Sequence, residues 1–141
     1  MILLDTNVIC EVLRPRPSGQ VLAWLAAQDQ TRVFTTAITL SEIFSGLRAL
    51  PAGRRRGKVQ AAVQAMFAQE FAGRILPFEE TAAAAYVEIV AARELAGRPI
   101  HQFDALIAAI ALSRGGQVAT RNIRDFEGCG VPLIDPWTAR I

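Results

Sequence analysis

Asp104 opens the apolar run Asp104-Ala-Leu-Ile-Ala-Ala-Ile-Ala-Leu112, and this one carboxylate constrains the fold more than any other residue. If the run is helical, Ile107, Ala108 and Ala111 lie on the face of Asp104. The carboxylate then stands over a packed stripe rather than on the wet side of the helix. A buried carboxylate has to be paired, capped or bound to a metal, so the rest of the chain must bring something to it.

The remaining sequence alternates short β-like runs with helical patterns, with Gly or Pro at most joints, which is the pattern of an α/β domain with a parallel sheet. The expected strands are residues 2–4, 33–36, 74–77, 117–120 and 131–134. Val59, Val63, Met66, Phe67 and Phe71 recur at helical spacing up to Gly73. Ala82, Tyr86, Ile89 and Val90 do the same after a Thr81 cap and stop at Gly97. No linker or repeat interrupts the pattern, so residues 1–141 are expected to form a single domain. The hydrophobic fraction of 52% and the mean hydropathy of +0.28 are high for a chain this small. No apolar stretch reaches the ~20 residues of a membrane span, and the N-terminus lacks a signal-peptide pattern. The expectation is a cytoplasmic protein with no membrane span and with apolar surface left for a partner. Cys10 and Cys129 have no metal-like spacing and read as small, reduced, packed residues. The net charge of +2 does not by itself mark a nucleic-acid binder, although all basic residues except Lys58 are Arg, which suits forked contacts to phosphate. The run from Arg54 to Lys58 reads as a solvated loop between helices, with guidance of a nucleic-acid strand as the alternative.

Among the 13 acids, three stand out by context. Asp5 follows the first strand directly, at the carboxyl end where parallel sheets gather ligands, and Thr6 and Asn7 share its turn. Glu42 follows the second strand on a helix whose core stripe is Leu40, Ile43, Phe44 and Leu47, and the small Ser45 and Gly46 beside it leave its carboxylate room. Asp104 precedes the fourth strand, which ends at Thr120 with Arg121, Asn122, Arg124 and Asp125 just beyond. Each acid has a structural explanation: Asp5 as an Asx turn or helix cap, Thr39-Leu-Ser-Glu42 as a capping box, Asp104 as another cap. Those explanations do not account for carboxylates recurring at one sheet edge, where like charges raise one another's pKa unless a cation lies among them. Hard oxygen ligands without His or Cys suit Mg²⁺, with Mn²⁺ as a substitute. His101, the only histidine, lies one helical turn before Asp104 and reads as a spectator.

Met1-Ile-Leu-Leu-Asp-Thr-Asn-Val-Ile9, Glu42, Asp104-Ala-Leu-Ile-Ala-Ala, Val118-Ala-Thr-Arg-Asn122, Asp125-Phe126 and Pro136-Trp137 together resemble a PIN-domain ribonuclease, more narrowly the VapC/FitB group of bacterial toxins. The resemblance implies a PIN-like α/β/α sandwich around a central parallel sheet of about five strands. It implies that Asp5, Glu42 and Asp104 bind Mg²⁺, with Thr6 and Thr120 as supporting hydroxyls. It also implies RNA cleavage, a homodimer, and a cognate antitoxin through which the complex reaches operator DNA. Many relatives carry Asp where this chain has Asn122, so Asn122 and Asp125 are alternative fourth ligands.

On this reading the protein is a Mg²⁺-dependent endoribonuclease, with a water made more acidic near Asp5 and Asp104 attacking a phosphodiester in line. Glu42 would orient that water or a second ion, and Arg121 or Arg124 would either contact a flanking phosphate or pair with nearby acids. Two other classes compete. A haloacid-dehalogenase-like phosphatase needs a second Asp where this chain has Asn7. A catalytically inactive PIN-like partner-binding domain is favoured only by Asn122, and retention of Asp5, Glu42 and Asp104 argues against it.

Overall fold

A computed structural model describes residues 1–141. The chain runs β1 (Ile2–Leu4), α1 (Thr6–Val12), α2 (Gly19–Ala26), a 3₁₀ turn, β2 (Val33–Thr36), α3 (Ala37–Arg48) and α4 (Arg54–Ala65). A π turn (Met66–Glu70) then leads to β3 (Ile75–Leu76), α5 (Glu80–Leu95), α6 (Gln102–Ser113), β4 (Gln117–Ala119), α7 (Ile123–Phe126) and β5 (Leu133–Ile134). The sheet has the order β3-β2-β1-β4-β5 and every pairing is parallel. All five expected strands are present, three of them shorter than their apolar runs.

Alternation along β1 divides the core. Ile2 and Leu4 face one layer with Val8, Ile9, Val21, Trp24, Val63 and Phe67, while Leu3 faces the other with Ile89, Ile107, Ile110 and Phe126. Helices therefore cover both faces and the fold is the α/β/α sandwich that the family resemblance implies. The run after Asp104 is helical, and Ile107, Ala108 and Ala111 are fully buried. Its alanines allow α6 to be buried almost all round, against the sheet on one side and α5 on the other. No helix is long and apolar enough to cross a membrane.

The helix ends depart from expectation in an instructive way. Thr36, not Thr39, caps α3: Thr36 still has the extended backbone of β2, and its Oγ1 accepts the Thr39 N–H at 3.0 Å. Thr39 is already helical, so the Thr39–Glu42 capping box does not form. Helix α5 starts before Thr81, at Glu80, behind the extended Glu79, and an acid in its first turn suits the helix dipole. It ends as expected at Gly97, whose φ of +71° only glycine adopts without strain. His101, not Asp104, occupies the cap position of α6. Arg54 to Lys58 do not form a loop; they are the opening of α4. Cys129 is buried as expected, whereas Cys10 is exposed on α1.

Candidate active site

The chain steps outward from β1 to β2 and β3, then returns through α5 and α6 to place β4 on the other side of β1, so β1 and β4 flank the point where strand order reverses. Asp5 and Thr120 sit at the carboxyl ends of these two strands, one residue beyond each. Asp5 is only 4% exposed and does two jobs, because it is also the N-cap of α1, accepting the Thr6 N–H at 2.8 Å. Its Oδ2 accepts from the Thr120 hydroxyl at 2.8 Å and from Asn7 Nδ2 at 3.0 Å. Asn7 Nδ2 also lies 3.2 Å from Thr120 Oγ1, and Asn7 Oδ1 accepts the Arg121 N–H at 3.2 Å. Thr120 Oγ1 in turn accepts the Asn122 N–H at 3.0 Å. This network fixes the β1 and β4 ends to each other. Thr6 extends it to α3 by donating its hydroxyl to Glu42 Oε1 at 2.9 Å.

Asp104 approaches from the first turn of α6 and is half-buried. Its carboxyl is pushed up to about 6, first by burial and then by the charges of Asp5 and Asp125, with Glu42 adding less and His101 opposing. Asp5 is raised as well: burial outweighs the hydrogen bonds from Thr120 and Thr6, and Glu42 adds to it. Asp104 thus lies within electrostatic reach of Asp5 and Glu42, and the like charges are costly in the bare protein. No three Asp, Glu, His or Cys side chains close around one ion, so the acids form an open set rather than a cage. An open set of hard oxygens fits Mg²⁺, which commonly keeps several waters and takes only one or two carboxylates.

Asn122 and Asp125 flank the site on α7, with Asn122 at its cap position and Asp125 three residues on, both exposed. Asp125 is near enough to raise the Asp104 pKa. Neither Arg121 nor Arg124 pairs with an acid; the ion pairs are Arg14–Glu11, Arg98–Glu127 and Arg114–Glu79. Arg121 lies over the Trp137 ring, 5.1 Å from its centroid.

Sequence reasoning missed Arg93, a buried arginine with no carboxylate partner. Its Nη1 donates to the Asp125 and Glu127 carbonyls at 2.8 and 2.9 Å, and its Nε to the Arg98 carbonyl at 2.6 Å. It thus ties α7, which carries Asp125, to α5. The available signal was periodicity: Arg93 continues the α5 stripe of Ala82, Tyr86 and Ile89, where an apolar residue belongs.

The PIN-domain family model matches residues 2–128. The chain belongs to this family. It is 41% identical to VapC ribonuclease Y4jK of Sinorhizobium fredii, covering 97% of this chain and 98% of that one. It is 39% identical to toxin FitB of Neisseria gonorrhoeae, covering 97% and 99% respectively. Among solved structures, FitAB bound to an IR36 DNA fragment superposes with a TM-score of 0.92 at 38% identity, covering all of this chain and 99% of that one.

Proposed function

We propose that this protein is the toxin of a toxin–antitoxin pair and a Mg²⁺-dependent endoribonuclease. The observation that supports the reading is Asp5 at the end of β1, hydrogen-bonded to Thr120 at the end of β4, with Thr6 linking to Glu42 and with Asp5 and Asp104 held above the usual carboxylate range. Ribonuclease and toxin names among full-length relatives support it. Asp5, Glu42 and Asp104 would hold the ion, which when bound supplies a more acidic water and offsets charge on phosphate oxygens. Thr6 holds one Glu42 oxygen and leaves the other to orient that water. Thr120 and Asn7 fix the Asp5 rotamer, so little reorganisation is left for the reaction. Arg124 is exposed and pairs with no acid, which leaves its guanidinium free to meet a flanking phosphate. Exposed Phe78, Val87, Leu95 and Phe103 offer apolar surface for a second copy of the chain and for an antitoxin, and contact with DNA would come through the antitoxin.

Incubating the purified protein with total cellular RNA and mapping new ends tests the reading. Defined internal ends are expected from wild type and not from Asp5→Asn, and intact RNA with wild type would refute it. A catalytically inactive partner-binding domain is the second reading, favoured by the neutral Asn122 at the position discussed for a fourth ligand; intact RNA is its expected result.

Two further results are expected at the same site. Mg²⁺ should raise the melting temperature of wild type by preferential binding to the folded state. Asp5→Asn should respond less in calorimetry at matched ionic strength, and equal shifts would remove Asp5 from the ion. Asp125→Ala should lose more cleavage than Asn122→Ala, because Asp125 brings a charge to Asp104 and a neutral amide does not. Asn122→Asp should keep activity or lower the Mg²⁺ concentration needed; full activity in Asp125→Ala would leave Asn122 as the only candidate fourth ligand.

A further inference from the structure

The opening of α4 places Arg54, Arg55 and Arg56 around a cavity of about 420 Å³ whose other walls include Leu50, Pro51 and Val59. A second cavity, of about 350 Å³, begins at Thr6 and Glu42 and reaches Leu47, Leu50 and Val59. Leu50 and Val59 line both, so the two cavities adjoin as a trough with Glu42 in the wall of one part and the three arginines in the wall of the other. Its wall follows α3, where Glu42 and Arg48 are six residues apart, or roughly 9 Å at the rise of a helix. Between Glu42 and Glu70 the chain has no acid, and it carries Arg48, Arg54, Arg55, Arg56 and Lys58. That stretch alone is more positive than the whole protein at +2, and none of these cations joins an ion pair. Arg56 donates to the Leu50 carbonyl at 3.2 Å, which holds its guanidinium at the cavity rim.

We propose that Arg54, Arg55 and Arg56 form a subsite for backbone phosphates of single-stranded RNA, aligning the strand along the trough. The proposal rests on the ribonuclease reading for the position of the scissile phosphate. Charge selects the occupant: the acid-free arginine end attracts a polyanion, and guanidinium forks match phosphate oxygens. The apolar floor of Ile43, Leu47 and Val63 accommodates ribose and base faces.

The test replaces all three arginines by Gln, with an all-Lys triple as the charge-retaining control and circular dichroism to confirm folding. Binding of a labelled single-stranded oligoribonucleotide is measured across salt concentrations in Mg²⁺, with Asp104→Asn added to every protein to prevent cleavage. Each phosphate contact contributes about −0.7 to the slope of log affinity against log salt. The Gln triple is therefore expected to flatten the slope by about 2, and the Lys triple to keep most of it. With Asp104 restored, the Gln triple should raise KM about tenfold with little change in kcat. An unchanged slope and KM would overturn the proposal. So would loss of binding to a polyglutamate peptide with RNA binding intact, which would make the trough a protein-docking groove. If wild type fails to cut RNA while binding still depends on the arginines, the ribonuclease reading falls and the RNA subsite stands.

Discussion

Asp104→Asn is expected to suppress RNA cleavage by more than the ~10–100-fold typical of groups one step removed from a metal, while the metal-free protein stays as stable or becomes more stable. Asn matches Asp in size, and no hydrogen bond offsets the raised pKa of Asp104, so the substitution removes charge and little else. The pH dependence separates the two effects. The folded protein holds a proton on Asp104 up to about 6, against 3.8 for an ordinary Asp. Between those values the folded state binds more protons than the unfolded state, so the contribution of Asp104 to stability falls as pH rises. That contribution is fully present below 3.8 and gone above about 6. The variant lacks a titrating group there, so its melting temperature should decline less over that window when EDTA is present. Undiminished cleavage would remove Asp104 from the metal site; a variant that melts lower at neutral pH would show that the carboxylate stabilises the fold.

Arg93→Met should produce the largest loss of stability. The arginine is 5% exposed, and its guanidinium serves the carbonyls of Arg98, Asp125 and Glu127. Met fills part of the volume and leaves three acceptors without a donor, at about 1 kcal/mol or more each. The expected loss is roughly 3 kcal/mol, or about 10 °C in melting temperature for a domain of this size. Arg93→Lys should recover little, since a single ammonium lacks the planar fork that spans several carbonyls. Because the lost bonds anchor α7, local hydrogen exchange should rise first around Asp125 and Glu127. A melting temperature unchanged from wild type would show that water replaces the guanidinium without penalty.

These two residues mark what the sequence reveals and what it conceals. Asp104 was legible because a charge above an apolar helical stripe breaks a local pattern, and Ile107, Ala108 and Ala111 are buried as that pattern requires. Asp5 and Thr120 were legible because parallel strands end in the same direction, which places residues after β1 and β4 side by side. The role of Arg93 depends on contacts 32 and 34 residues away, and no spacing rule reports such carbonyl partners. Thr36 shows a different limit: several hydroxyls near a strand-to-helix joint can cap, and the exact strand end decides among them. Arg54 to Lys58 look like a loop by composition, yet the helical stripe from Val59 to Phe67 draws them into α4 as an extra turn.

Burial and neighbouring carboxylates raise Asp5 and Asp104, a cost that a divalent cation would offset. The most direct measurement is cleavage of a labelled single-stranded oligoribonucleotide by wild type and Asp5→Asn, from EDTA through rising Mg²⁺. Saturable, Mg²⁺-dependent internal cleavage by wild type, abolished by EDTA and lost in Asp5→Asn, is the predicted result. Cleavage that persists in EDTA, or that proceeds equally in both proteins, would contradict it.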